Sequence, residues 1–412
     1  MVIIYSALNL GGIQTFFLRL AKSRFLKGKK TKIILYIPKE LGAYNEYLYS
    51  ELSKYAEIYH FDDVFLKKFL NWRFVFSHKL NVEILKKIFI DCEYVHVADA
   101  YSGLLANRFL HELNLEKPIT FGVYHTMEYS WGSQKKLPYF ERVNREFVYK
   151  KNNSSNLICF SHETKEILEK RIGVKLNNAQ TFRLGVIERV NVEKKENFNH
   201  DIVRICAVGR LTDFKTYNLW MPSVIKKIRE RGFNVILDIY GSGELEEKLK
   251  LIVSEHTGYV NLLPSFSYSK FSEVLSRYDL FIGSGTSIIE ASSLGIPSII
   301  GIESIESPKT YGYFCDFCDF EYNIMGLPFE LQSVEDVIEN FIKLNDSEKD
   351  ALSKKHRLAS EKFYISICDE NFDEMKKNIT PYFYFVPYLY IFSRIFFHRK
   401  LKFFKKTIYH DN

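Results

Sequence analysis

The sequence predicts an α/β protein of two domains, each built on a mostly parallel sheet with helices on both faces. Three observations predict it. Short apolar runs alternate with helical stretches through most of the first 300 residues, which is the pattern of repeated strand–helix–strand units. A polar, aperiodic stretch, Val192-Glu193-Lys194-Lys195-Glu196-Asn197-Phe198-Asn199, separates two such series. And 412 residues is long for one core but comfortable for two. The expected division is a first domain over 1–190, a linker at 191–200, a second domain over 201–365 and a tail over 366–412.

In the first series, Val2–Tyr5 is a short apolar strand followed by a turn at Gly11-Gly12. Ile13, Phe16, Phe17 and Leu20 then fall on one helical face. Further strands are expected at 32–37, 94–98, 119–124 and 156–160, with helices between them that include 102–112 and 163–171. The second series opens with the strand Val203–Val208. Trp220, Val224 and Ile228 recur at four-residue steps on a helix that Gly232 stops. A strand ending at Ile239-Tyr240 leads through Gly241-Ser242-Gly243-Glu244 into a helix over 245–253. Another, over 279–282, leads through Gly283-Ser284-Gly285-Thr286-Ser287 into a helix from about Ile288. Residues 334–377 read as helical and charge-rich.

Composition narrows the function classes. Hydrophobic content of 46% with 26% charged residues describes a globular chain. The net charge of +7, from 57 basic and 50 acidic residues, is concentrated near the C-terminus. The rest of the chain offers no basic face, so nucleic acid is not an expected partner. Of six cysteines, Cys92, Cys159 and Cys206 sit in apolar surroundings as small hydrophobes. Cys315 and Cys318 have zinc-like spacing, but no second pair or nearby histidine completes a tetrahedral set. Asp62-Asp63 and Asp91-Cys92-Glu93 do not form a metal-binding Asp-x-Asp at a strand end, so no metal site is expected. Scattered cysteines and the lack of a basic flank before Val2-Ile3-Ile4-Tyr5 point to a reduced, cytoplasmic setting. No uninterrupted apolar stretch of about 20 residues suits a spanning helix.

Three strand ends in the second domain suit a nucleotide diphosphate, which needs anion stabilisation and a ribose anchor. Gly209 lets the backbone approach a ligand, and Arg210 and Lys215 offer two cations within one loop; the alternative is a pair of solvated surface charges. Gly241 and Gly243 permit close approach at a strand-to-helix turn, though many tight turns look the same. Gly285, Thr286 and Ser287 put small residues at a helix start, a phosphate-sized anion site. Glu290, expected in the first turn of that helix, either accepts hydrogen bonds from two ribose hydroxyls or offsets the helix dipole. In the first domain, Gly11-Gly12 either presents N–H groups to the diphosphate or is a simple turn. His125, at a strand end, either faces the reacting sugar or sits in the core. His96 and Asp99 are candidates for lining an acceptor side; Ser161, His162 and Glu128 are weaker ones.

Taken in order, Gly209-Arg210…Lys215, Gly241-Ser242-Gly243 and Glu290-Ala291…Gly295-Ile296-Pro297 resemble the donor-binding half of glycosyltransferase family 4. These are retaining sugar transferases of GT-B fold. The resemblance implies two Rossmann-like domains facing across a deep interdomain cleft, the first for the acceptor and the second for the donor. It implies His125, Arg210 and Lys215 as catalytic residues, and Gly11, Gly12, Gly209, Gly241, Gly243, Gly285, Thr286, Ser287 and Glu290 as donor-binding ones. It implies no cofactor and no metal. The implied activity is transfer of a sugar, with retention, from a nucleotide-diphosphate donor to a glycan or lipid-linked saccharide, in bacterial surface polysaccharide or glycoconjugate synthesis. The resemblance covers the second domain well and the first only at Gly11-Gly12, His125 and the general alternation. The chain departs from the family's E-x7-E pattern, because Ile282 occupies the place of the first glutamate; Thr286 and Ser287 could replace part of the lost hydrogen bonding. Residues 260–266 are expected near the base. Two rival readings are a nucleotide-sugar epimerase or hydrolase of the same fold and a catalytically idle, scaffold-like subunit.

The tail is distinct. Residues 382–397 are heavily aromatic but interrupted by Pro387 and Arg394, and Arg399, Lys400, Lys402, Lys405 and Lys406 follow. Aromatic rings prefer the headgroup region of a bilayer, and basic side chains are drawn to anionic lipid. The apolar part either packs back over the first domain or lies on a membrane. The basic part points to an anionic membrane surface reached through 381–406, which would make the protein peripheral at the inner face of the cell membrane.

Overall fold

The structure, a computed structural model, describes residues 1–403 apart from 10, 42–43, 67–70, 126–136, 190–201, 268–269, 320 and 380–382; of 398–403 it describes the helical backbone. The expected linker, Glu128 and the basic run at 399–406 therefore lie outside the described residues or side chains. Contacts divide the chain into two compact units, Met1–Gly185 with Ile365–Asn412, and Val186–Tyr364.

The first unit is built on seven strands: β1 (Val2–Tyr5), β2 (Lys32–Leu35), β3 (Glu57–Tyr59), β4 (Val95–Val97), β5 (Ile119–Val123), β6 (Leu157–Cys159) and β7 (Gln180–Thr181). They lie in the order β3-β2-β1-β4-β5-β6-β7, and every pairing is parallel. A parallel sheet is covered on both faces, so its central strands are apolar throughout. Period-two alternation sorts their side chains into two cores. Ile4, Ile34, Val95, Phe121 and Leu157 enter one; Ile3, Ile33, Tyr94, Ala98 and Ile158 enter the other.

The chain leaves this unit at Gly185 and re-enters at Ile365. A Cβ on Gly185 would lie 2.6 Å from the Ile365 Cα, so the two crossing points need a residue without a side chain. Helix Ile365–Glu374 then docks on helix Gly12–Leu26 through a buried ion pair. Arg24 Nη1 lies 2.9 Å from both Asp369 Oδ1 and Asp373 Oδ1, with Arg24 2% and Asp369 0% exposed. The aromatic tail follows it into the fold. Tyr390 and Ile391 are buried in the first core, and Tyr390 Oη donates to Asn144 Oδ1 at 2.9 Å. Of the two readings of the apolar tail, the structure has the packed one, with helix Tyr388–Phe403 against helix Tyr139–Arg145.

The second unit carries β8 (Val203–Val208), β9 (Val235–Tyr240), β10 (Val260–Leu263), β11 (Leu280–Gly283) and β12 (Ser298–Ile300). Their order is β10-β9-β8-β11-β12, again parallel at every pairing. In each sheet the chain moves outward from a central strand in one direction and then returns to that strand's other side. The reversal falls between β1 and β4 in the first unit and between β8 and β11 in the second. Open parallel sheets bind ligands beyond the carboxyl ends of their strands at such reversals.

Candidate functional site

In the second unit the three predicted loops leave the carboxyl ends of β8, β9 and β11, and the first two are hydrogen-bonded to each other. Gly209 N–H donates to Tyr240 O at 3.1 Å, Leu211 N–H to Ser242 O at 3.0 Å, and Leu245 N–H to Leu211 O at 3.1 Å. The glycines make this possible by their lack of a side chain. A Cβ on Gly241 would run into the Gly209 carbonyl, and one on Gly243 into the Leu211 carbonyl. The Glu244 carboxylate adds a tie, accepting from Asp213 N–H at 3.1 Å.

The turn after Leu211 folds back, with Lys215 N–H donating to Thr212 O at 3.0 Å. That brings the Lys215 ammonium over Gly209, 2.8 Å from where a Cβ there would stand. Lys215 is thus drawn partly out of water. Burial lowers its pKa; Glu303 opposes the shift and the neighbouring Arg210 adds to it. Arg210 itself is exposed. The pair gives the loop two cations, one fixed and partly desolvated, one reaching into solvent.

The third loop differs from expectation at the helix start. The helix runs Thr286–Ser293, so it begins two residues before Ile288. Gly285 is the N-cap with φ 66°, a left-handed value that glycine adopts without strain. Its peptide is fixed from both sides: Gly285 N–H donates to Asn323 Oδ1 at 3.1 Å, and Tyr322 Oη donates to Gly285 O at 3.0 Å. The Gly285 N–H is therefore occupied, and anion-facing N–H groups at this terminus fall to Thr286 and Ser287, since the first turn of a helix has no internal acceptors. Ser287 Oγ donates to Ser284 O at 3.2 Å. Glu290 stands in the second turn, not the first, and is buried. Dipole effects fade beyond the first turn, so the dipole account of Glu290 loses its basis. Phe266, in the segment expected near the base, packs edge-on against Tyr240 at the ends of β10 and β9, 5.1 Å between ring centroids.

In the first unit, Gly11 is the N-cap of helix Gly12–Leu26 in extended conformation, and a Cβ on Gly12 would meet open space. His125 follows β5, with its pKa lowered by partial burial and by Arg171, which favours the neutral imidazole at neutral pH. His96 is a core residue. Its position in β4 turns it into the apolar interior, where it is 0% exposed. There Nδ1 pairs with Thr120 Oγ1 at 3.0 Å and Nε2 with Tyr124 Oη at 2.7 Å. Burial lowers its pKa to about 3. With both nitrogens occupied, His96 has none left for an acceptor; it holds Tyr124, the residue before His125. Asp99 caps helix Ala100–Glu112, accepting from Ser102 N–H at 2.8 Å and from Ser102 Oγ at 2.7 Å. Ser161 caps the helix that begins at His162.

No protein-family model matches the chain, and no curated protein sequence does either. Solved structures do match. A glycosyltransferase from Rickettsia africae ESF-5 superposes with a TM-score of 0.62 at 14% identity, covering 90% of this chain and 96% of that one. Anabaena HepE, solved in complex with UDP, gives 0.61 at 12% identity, over 90% and 98%. The lipopolysaccharide outer core galactosyltransferase WaaB gives 0.56 at 14% identity, over 91% and 98%. The fold is GT-B.

One residue of the GT-B donor-side unit escaped the sequence reading. Glu303 follows β12 after Gly301, and its pKa is raised by burial while Ser284 and Lys215 pull it down. The backbone holds it from both sides. Glu303 N–H donates to Asn323 O at 2.8 Å and Ser304 N–H to Phe214 O at 2.7 Å, with Ser304 at φ 59°. The signal that could have found it is the same as for Arg210: a glycine at a strand end followed closely by a charged residue.

Proposed function

We propose that this protein is a glycosyltransferase that moves a hexose from a nucleotide-diphosphate donor to a glycan or lipid-linked saccharide, with retention and without a divalent metal. One observation carries the reading: the loops after β8 and β9 are stitched together beside the sheet reversal, with the Lys215 ammonium folded over Gly209. Loss of a nucleoside diphosphate from a sugar leaves growing negative charge on the leaving group. Cations and N–H groups preorganised in a partly desolvated loop stabilise that charge most. Arg210 and Lys215 take this role, with the Thr286 and Ser287 N–H groups at the helix start. Glu290 anchors the ribose, and Gly209, Gly241, Gly243 and Gly285 keep backbone close to the ligand. His125, Gly11 and Gly12 act from the first unit. TarM, another match of low identity, was solved with UDP and α-GlcNAc-glycerol, which supports a nucleotide donor and a surface-polymer acceptor as the class to test.

The test is thermal unfolding with UDP, GDP, ADP, CDP and dTDP, each with and without magnesium. A ligand that prefers the folded state raises the melting temperature. A shift with one diphosphate, unchanged by magnesium and lost in Arg210→Ala and Lys215→Ala, is the expected result. No shift with any of the five would sink the transferase reading and favour an idle, scaffold-like subunit. Donor consumption without acceptor would favour the epimerase or hydrolase.

The protein works at the inner face of the cell membrane in this reading, and the tail supplies a specific observation. Phe385, Tyr388, Leu389, Phe392 and Phe396 recur at three- and four-residue steps and are all exposed, although the opposite side of the same segment is buried. A basic sequence follows them. An aromatic stripe beside basic residues matches the interface of an anionic bilayer. No helix among the described residues is long and apolar enough to cross one. Flotation with phosphatidylglycerol vesicles should carry the wild type and not the Phe392→Ser/Phe396→Ser double variant; equal flotation of both would remove the membrane from the account.

A further inference from the structure

The sheet reversal of the first unit carries a cavity of about 390 Å³. It opens where β1, β2 and β4 end, lined by Tyr5 and Ser6 after β1, Ile37 after β2 and Ala98 after β4. Its volume falls in the range of small-molecule sites. The aromatic rings of Tyr36, Trp72, Tyr101, Phe140 and Phe397 form much of the wall. Flat rings stack on the C–H faces of sugars, and charged groups between them meet the polar edges.

Three charged side chains line the cavity: Asp99, Glu141 and Arg394. Two of them are already engaged. Both Asp99 oxygens accept from Ser102. Glu141 is fully buried, with Arg145 Nε 3.0 Å from Oε1 and Asn144 Nδ2 3.3 Å from Oε2. Arg394 is different. Its guanidinium lies 4.1 Å from the centroid of the Tyr101 ring. Among the described residues it takes part in no ion pair within 4 Å. A guanidinium has five N–H donors in a planar fork that matches a carboxylate or phosphate. One that is stacked on a ring and lines a largely aromatic cavity calls for an oxygen-rich partner, since a buried donor without one is costly.

We propose that this cavity holds the acceptor sugar, and that the acceptor is an acidic saccharide whose carboxylate or phosphate is bound by Arg394 from the C-terminal helix. The proposal rests on the glycosyltransferase reading and adds the chemistry of its acceptor. It also gives the returning tail a function besides filling the core: the helix Tyr388–Phe403 supplies the cation of a site whose remaining walls come from strand ends far away in sequence. Arg394 acts here as a binding residue and takes no part in the bond exchange.

The experiment measures binding of four probes to the full-length protein by ligand-observed NMR: glucuronate, glucose 1-phosphate, glucose and inorganic phosphate. One or both acidic sugars should bind at least about tenfold more tightly than glucose, the scale of one charge-assisted hydrogen bond. Inorganic phosphate should bind more weakly than the acidic sugars, because it leaves the aromatic walls unused. Glucuronate against glucose 1-phosphate separates the two sources of negative charge. Arg394→Gln should erase the preference over glucose, and Arg394→Lys should keep part of it. Equal binding of acidic and neutral sugars, preference retained in Arg394→Gln, phosphate binding as tightly as the acidic sugars, or no binding of any probe would each overturn the proposal. The nucleoside diphosphate melting shift is read on the same samples. A wild type that shifts with a diphosphate but fails the sugar arm loses only this inference, whereas one that shifts with none loses the parent reading. An unchanged diphosphate shift in Arg394→Gln shows that the variant is folded.

Discussion

Lys215 is held by a folded loop over Gly209, partly out of water, with Arg210 and Glu303 acting on its charge from opposite signs. A lysine in that position binds a diphosphate more strongly than one in solvent, because the effective dielectric is lower. It also loses its proton more readily, since burial has lowered its pKa. Nucleoside diphosphate affinity should therefore fall as pH rises through that lowered value, ahead of an ordinary lysine. In Lys215→Arg the guanidinium stays charged throughout, so its affinity should hold at alkaline pH. Titration calorimetry from about pH 7 to about pH 10 reads the difference, across the ordinary lysine range. Glu303→Gln removes a charge that raises the Lys215 pKa, and should move the alkaline loss to lower pH. Superimposed profiles for wild type and Lys215→Arg would remove Lys215 from the diphosphate. Lys215→Ala should weaken binding about 10- to 100-fold, from the roughly 1.5–3 kcal/mol of a hydrogen bond to a charged group.

The loops depend on elements that local sequence signals well in part. An apolar run that ends in glycine is a strand end in either unit, so Gly209, Gly241 and Gly283 are legible. What joins them is not: the bond from Leu211 N–H to Ser242 O connects residues 31 apart, and no local pattern encodes that pairing. His96 shows the same limit. One polar residue in an apolar run reads equally as a site or as a core residue, and the answer lies with Thr120 and Tyr124, contributed from β5 and its end. The short edge strands β3 and β7, of three and two residues, lack an apolar run and leave no trace. The helix start at Thr286 was displaced because Gly285, in left-handed conformation, is the cap. The stitched loops make a direct prediction. Gly243→Ala places a methyl against the Leu211 carbonyl, so the loops must part, at a cost of about 1–3 kcal/mol for such crowding. The diphosphate melting shift should disappear while the circular dichroism spectrum stays native. Gly12→Ala, with open space at the same position, should leave the melting temperature of the free protein unchanged. A Gly243→Ala protein that still responds to the diphosphate would mean that the pairing of the loops is incidental to binding.

At the scale of the molecule, the last 48 residues belong to the first unit although they follow the second. The sequence marked the tail as aromatic and basic but left its partner open, because an aromatic segment suits a lipid interface and a protein core equally well. The deciding feature is electrostatic and lies elsewhere. Arg24 and Asp369, 345 residues apart, form a buried pair that Asp373 and Lys27 extend. Two charges this deep are stable only together, since removing one strands the other at a cost of about 3–5 kcal/mol. A chain of two units need not unfold in one step, and this permits a test with an internal control. Asp369→Ala should lower the urea midpoint of the first unit, followed by tryptophan fluorescence in a Trp220→Phe background that leaves the first unit's tryptophans. The second unit, followed through the stability it gains from a bound nucleoside diphosphate, should keep its midpoint. Coincident shifts of both transitions would mean that the pair holds the whole molecule together, and no shift in either would mean that the tail docks through its aromatic rings alone.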